Sequence, residues 1–177
     1  EVIYADEVVT NAYIREVDLA AFGAKGKLAL ITIDNGMDHT RPNTFGPGSL
    51  EKLNEAITAA ETGPASAIAV TGKPFIFAAG ADLSALSLLS EREQALAVGK
   101  LGHDVFRRLG ESKKPTFAFI NGLALGGGLE VGLHCHYRTL AATAFTALPE
   151  VFLGLVPGWG GATILPKLIG PTNAVQV

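Results

Sequence analysis

The chain has 177 residues, 48% of them hydrophobic and 18% charged, a globular composition sufficient for one domain or most of a larger one. Its 14 basic and 17 acidic residues leave a formal charge of −3, which excludes the basic footprint of a nucleic-acid-binding surface. A single cysteine, Cys135, excludes an internal disulfide and leaves no pair to begin a zinc site, as expected of a reducing cytoplasm.

The acidic start, EVIYADEVVT, lacks the basic-then-apolar order of a signal peptide, and no apolar run is long enough to span a bilayer. The expectation is a cytoplasmic protein with no membrane partner. LALITID (28–34) reads as a strand, and NGMDHTRPNTFGPGS (35–49) as a loop. Ser49 is the expected N-cap of a helix over 50–61, with Leu50, Leu53, Ile57 and Ala60 at helical spacing. SAIAVTG (66–72) reads as a second buried strand. FIFAAGADL (75–83) reads as a short extended segment broken at Gly80, with Asp82 or Ser84 able to cap the next element. Residues 90–109 form a helix whose apolar face is Leu96, Leu101, Val105, Phe106 and Leu109.

TFAFING (116–122) is a third buried strand, followed by a glycine turn, a helix from about Gly128 to His134, and a strand in YRTLAA (137–142). A proline-marked loop over 149–161 leads to a short helix over 162–170. Apolar strands separated by helices predict a parallel sheet covered on both faces. No internal repeat or linker is visible. The chain stops at NAVQV with no capping signal, so a truncated domain is expected.

The glycine triplet of NGLALGGGLEVG (121–132) invites the nucleotide-binding patterns, and all fail. From Gly126 the third glycine of G-x-G-x-x-G would be Val131, and from Gly158 it would be Thr163. There is no P-loop and no G-x-S-x-G elbow, and the four histidines accompany no nucleophile pattern. What remains is a strand, a bare turn and a helix N-terminus, whose free N–H groups favour a negative oxygen. FAAGADL offers the same device again at Gly80, and two such amides on one carbonyl would make an oxyanion hole. Two ordinary tight turns fit the same residues. Glu130 reads either as a carboxylate favoured by the helix dipole or as a desolvated acid–base group. Glu150, alone among apolar residues after Pro149, has a similar setting; two such carboxylates at one site would have their pKa values pushed apart.

Taken together, FIFAAGADL, INGLALGGGLEVGL and LPEVFLGLVPGWGGATILPKLIG resemble the crotonase (enoyl-CoA hydratase/isomerase) superfamily over roughly residues 28–172. The loop DNGMDHTRPNTFGPGSLEKL and the tryptophan of PGWGG are most similar to the hydratase portion of bacterial multifunctional fatty-acid oxidation proteins. The resemblance implies an α/β crotonase (ClpP-like) spiral of ββα units, with residues 1–177 forming one such domain short of its C-terminal helical region.

It also implies roles. The amides of Ala81 and Gly127 would form the oxyanion hole for an acyl-CoA thioester. Glu130 would orient and deprotonate a water attacking Cβ of a trans-2-enoyl-CoA, and Glu150 would supply the proton at Cα. Gly158 would position that water, the carbonyl of Ala79 would meet the CoA adenine, and Arg41 and Lys73 are candidate phosphate contacts. Hydration needs no cofactor and no metal; NAD would enter only with a following dehydrogenase portion. Implied assemblies are a homotrimer or a complex with a thiolase. The pair of glutamates favours a hydratase, with a Δ3-Δ2-enoyl-CoA isomerase and a non-catalytic acyl-CoA-binding module as alternatives. His136 replaces an aspartate common among relatives, which is expected to alter a structural contact.

Overall fold

A computed structural model of the chain describes residues 7–84 and 92–177. Strand β2 (Lys27–Asp34) buries Ala29, Ile31 and Ile33, the alternate positions of one face. It pairs in parallel with β3 (Ala67–Gly72), which continues to β5 (Thr116–Ile120) and β7 (Tyr137–Leu140). The remaining strand of this five-stranded sheet, β1 (Asn11–Asp18), lies antiparallel to β2 and gives the order β1-β2-β3-β5-β7. The expectation of an all-parallel sheet omitted β1, whose NAYIREVD is polar enough to leave four consecutive residues exposed.

Each later strand of this sheet is followed at once by a short strand of a second, parallel sheet. These are β4 (Ile76–Ala78), β6 (Leu123–Leu125) and β8 (Phe145–Ala147), in the order β4-β6-β8. Helices α2 (Arg92–Glu111), α3 (Gly127–His134) and α4 (Gly161–Ile169) then carry the chain to the next turn. The result is the expected spiral of ββα units. The sequence shows no repeat because only the path repeats, with different residues at each corner. β6 and β8 are three residues each, too short to display a period.

Helix α1 (Pro47–Thr62) buries Leu50, Leu53, Ile57 and Ala60 as their spacing predicts. It starts one turn before the expected N-cap, because Pro47 supplies a preset φ at its first position. Ser49 is therefore inside the helix, and the cap comes from afar. The Glu7 carboxylate accepts from the amides of Gly48 and Ser49, both at 2.9 Å. At the other end, the Lys114 ammonium donates to the carbonyls of Ala60 and Gly63, at 2.8 Å each, where the helix dipole favours a cation. Arg108 of α2 fastens the two helices, donating to the Asn54 carbonyl at 3.1 Å and to Glu61 at 2.6 Å.

α2 packs through Gly102, Val105, Phe106 and Leu109, whereas Leu96 is exposed instead of joining that face. Positions 90 and 91 of the expected helix, and whatever Asp82 or Ser84 caps directly, fall at residues outside those described; Asp82 Oδ1 itself accepts from the Ser84 amide at 3.0 Å. The described residues cover the large sheet on one face only. On the other, Leu30, Phe117 and Phe119 are half-buried, and Tyr13 and Tyr137 are exposed. A closing helix, α5 (Pro171–Ala174), completes the described elements. No described helix is long and apolar enough to cross a membrane.

Candidate active site

Three corners of the spiral meet at one cleft of about 340 Å³, walled mainly by apolar side chains. Ala79, Gly80 and Ala81 come from the exit of β4, Gly126, Gly127 and Glu130 from the turn into α3, and Glu150, Gly158 and Trp159 from the segment before α4. Of the residues singled out from the sequence, the structure brings Ala79, Ala81, Gly127, Glu130, Glu150 and Gly158 together here. Arg41 and Lys73 do not line this cleft.

Each glycine of the triplet has its own cause. Gly126 adopts φ +51° as the chain reverses out of β6. A Cβ on Gly127 would stand 2.5 Å from the Trp159 ring, and one on Gly128 would stand 2.0 Å from the carbonyl oxygen of Ala78. At 127 and 128 the bare backbone thus makes room for close approach of the protein's own atoms. At Gly80, φ +94° turns the chain so that a Cβ would lie 3.3 Å from the Gly127 nitrogen. The two turns are therefore packed face to face.

Among the described residues, the amides of Ala81 and Gly127 are left out of the backbone bonding around them. The bridge between Phe45 and Ala81 uses the Phe45 amide to the Gly80 carbonyl (2.9 Å) and the Asp82 amide to the Phe45 carbonyl (3.0 Å), so it bypasses the N–H of Ala81. Gly127 is the first residue of α3, where an N–H has no acceptor within its own helix. Asn43 is fully buried beneath this arrangement. Its side-chain amide donates to the carbonyls of Ile33 (2.9 Å) and Phe77 (3.0 Å), and its backbone carbonyl accepts from the Ala79 amide (2.8 Å), which fixes the segment next to Ala81. The sequence reading missed Asn43, because a lone asparagine in a turn-rich loop carries no periodic signal.

Glu130 is 2% exposed, and its Oε1 accepts from the amides of Trp159 and Gly161, both at 2.8 Å. Burial pushes its carboxyl up to about 7; the Gly161 amide opposes this, the Glu150 charge adds to it, and the Trp159 amide opposes it again. Glu150 stands on a 3₁₀ turn, Pro149–Leu153, and burial raises its carboxyl as well. Its Oε2 is buried without a hydrogen-bond partner among the described residues. A buried carboxyl oxygen with nothing to bond is costly unless protonated or met by a ligand or water.

Lys73 is buried, its ammonium caged by Asn35 Oδ1 and the carbonyls of Met37 (2.9 Å), Asp38 (3.0 Å) and Arg41 (2.6 Å). That cation ties down the 35–41 loop, which leaves it no free donor to offer a phosphate. Arg41 is exposed beside a separate shallow depression with Asp82 and Ser84. The histidines have structural roles where their contacts are visible. His134 Nε2 meets the Trp159 carbonyl at 2.8 Å, and the His136 ring accepts from the Thr116 amide at 3.1 Å. Burial pushes the Cys135 thiol up to about 12, which makes it a core residue and not a nucleophile.

A ββα spiral with two amides and two carboxylates in one apolar cleft defines the class as a crotonase-fold protein. An enoyl-CoA hydratase from Bacillus anthracis superposes with a TM-score of 0.80 at 28% identity, over 94% of this chain and 61% of that one. The chain belongs to the enoyl-CoA hydratase/isomerase family, whose sequence model matches residues 23–177. It is 39% identical over 154 residues to the fatty acid oxidation complex subunit alpha of Shewanella frigidimarina, covering 85% of this chain and 21% of that one. It is 40% identical over 137 residues to the crotonyl-CoA hydratase of Syntrophomonas wolfei, covering 76% of this chain and 52% of that one. The chain thus spans about a fifth of the alpha subunit and about half of the crotonyl-CoA hydratase.

Proposed function

We propose that the chain catalyses addition of water to a trans-2-enoyl-CoA, giving a 3-hydroxyacyl-CoA in fatty-acid β-oxidation. The observation that carries this is the pair of carboxylates at one apolar cleft, Glu130 held by two amides and Glu150 with an unpartnered buried oxygen. The amides of Ala81 and Gly127 receive the thioester oxygen as it gains enolate charge, with the α3 dipole behind Gly127 favouring that charge. Glu130 takes a proton from the water whose oxygen bonds to Cβ, and the former double-bond electrons move onto Cα and the thioester. Glu150 delivers a proton to Cα. Gly158, which lines the cleft, helps seat that water, and the Ala79 carbonyl is the contact for the adenine of CoA. The two carboxyls exchange their proton through the shared water, so their titration belongs to the pair. No electrons leave the substrate, so hydration needs no redox cofactor.

The alpha subunits that the chain resembles extend well beyond the matched stretch. This supports reading residues 1–177 as a crotonase-fold portion of a multifunctional protein, in which NAD would serve a separate dehydrogenase portion. Their name as subunits of a complex supports assembly with a second enzyme, for which a thiolase is the candidate. The test is hydration of crotonyl-CoA by the chain and by Glu150→Gln, with a 3-enoyl-CoA assayed alongside. Loss of hydration by two or more decades is expected, at about 10²–10⁴-fold for a lost acid or base. Undiminished hydration in the variant would overturn the reading; turnover of the 3-enoyl thioester alone would make the chain an isomerase.

A further inference from the structure

Glu130 and His134 stand four residues apart on α3, one turn along the same face. Both reach the turn that leads into α4. Glu130 Oε1 accepts from the amides of Trp159 and Gly161, and His134 Nε2 meets the carbonyl of Trp159 at 2.8 Å. A carbonyl can only accept, so Nε2 carries the proton and the imidazole donates. The peptide it holds, Trp159–Gly160, lies between the two peptides whose amides grip Glu130.

The turn leaves that carbonyl to the ring. The amide of Ala162 donates back to the Pro157 carbonyl (3.3 Å), and those of Thr163 and Ile164 donate to the Gly160 carbonyl (3.0 and 2.7 Å), so the start of α4 passes over Trp159. Trp159 is buried, where a carbonyl left without a donor is costly. Gly160 adopts φ +123°, and a Cβ on it would stand 2.7 Å from His134 Nε2, so the backbone is bare where the ring approaches. From behind, α2 backs the ring edge-on, with His103 at 5.7 Å and Phe106 at 6.2 Å between centroids. Burial holds the imidazole below its ordinary pKa; the Trp159 carbonyl opposes this, the charges of His103 and Arg107 add to it, and Glu111 opposes it. The ring is thereby kept as a neutral donor.

We propose that His134 is a positioning residue for Glu130: by holding the Trp159–Gly160 peptide, its imidazole aims the two amides that fix the carboxylate. The consequence for turnover rests on the enoyl-CoA reading of the site; the consequence for the carboxylate does not. His134→Leu keeps comparable bulk at this half-buried position and removes the donor, whereas His134→Gln keeps an N–H near the place of Nε2. Thermal melting checks that both fold. The first measurement is the titration of the Glu130 carboxyl by carbon-detected NMR, its resonance identified by its loss in Glu130→Gln. The two amides favour the ionised form and the facing Glu150 charge disfavours it. Loosening the amides therefore moves the titration upward, by at least about half a pH unit in His134→Leu, while His134→Gln titrates as the parent does. The second measurement is hydration of crotonyl-CoA, where kcat is expected to fall about tenfold in His134→Leu with KM little changed, and to recover in His134→Gln. In the parent chain, nitrogen NMR must show the neutral ring of His134 protonated at Nε2, a check that depends on no variant. A ring protonated at Nδ1 instead, a Glu130 titration unmoved in His134→Leu, or an equal move in His134→Gln overturns the proposal. A carboxyl that moves as expected in a chain that hydrates no enoyl thioester overturns the hydratase reading and leaves the role of His134 standing.

Discussion

Glu130 and Glu150 open on the same cleft but are held in opposite ways. Glu130 lies in the first turn of α3, with one oxygen accepting from two amides at the entry into α4, those of Trp159 and Gly161. Glu150 lies on a 3₁₀ turn followed by exposed Val151, Phe152 and Leu153, and one of its oxygens is buried with no described partner. Desolvation raises both carboxyls, and among the described residues Glu130 is the one held by two amides. An anchored group suits the geometric task of aiming a water.

The largest expected break in this contrast is Glu150→Gln, which should cost about 10²–10⁴-fold in kcat for crotonyl-CoA. Its melting temperature should stay level or rise, because the neutral amide removes a buried charge. Next is Gly127→Ala. Its Cβ would press on the Trp159 ring from 2.5 Å and displace the amide proposed for the oxyanion, for an expected loss of about 10²–10³-fold in kcat. An enzyme with parental turnover would remove Gly127 from that role.

The third test concerns pH. Glu130 titrates near 7 in the folded chain against an ordinary 4.5, so between these values the folded state holds a proton that the unfolded state has lost. Stability must therefore fall as pH rises from about 4.5 to about 7 and level off above, by up to about 3 kcal/mol. Glu150, raised in the same direction, adds to the fall. Urea denaturation of the parent and of Glu130→Gln at pH 5 and pH 8 should show a drop in the parent that is reduced in the variant. In turnover, the acid limb of kcat/KM should follow the ionisation of the pair.

The smallest effect sharpens the comparison from the anchored side. Gly102→Ala crowds Trp159 from 2.3 Å, at a cost of about 1–3 kcal/mol in chemical denaturation. Because Trp159 donates to Glu130 and not to Glu150, this variant should also alter the acid limb. A shift in stability with an unaltered limb would uncouple the indole from the carboxylate.

Much of this was legible in the order of residues. The apolar runs at 28–34, 66–72 and 116–120 had to be buried strands, and Leu50, Leu53, Ile57 and Ala60 had to face the core, because hydrophobic burial at a fixed period leaves little choice. The motifs around Gly80, Gly127, Glu130 and Glu150 also signalled one site. Less legible were β1, whose side chains are largely exposed, and β6 and β8, which exist through pairing with neighbours far away in sequence. Lys73 shows the limit most clearly. Its position beside a turn suggested a phosphate ligand, and only folding shows that four oxygens of a loop more than thirty residues earlier surround its ammonium.

The sequence by itself determined the strand and helix periods, the family, and the two glutamates as candidates, since these depend on residue type and local spacing. Tertiary structure decided which close contacts keep the triplet glycine and which carboxylate two amides hold. Those outcomes turn on atoms 2–3 Å apart that lie tens of residues away along the chain, such as the Trp159 ring against Gly102 and Gly127. Close packing sets them, and packing is a property of the assembled whole.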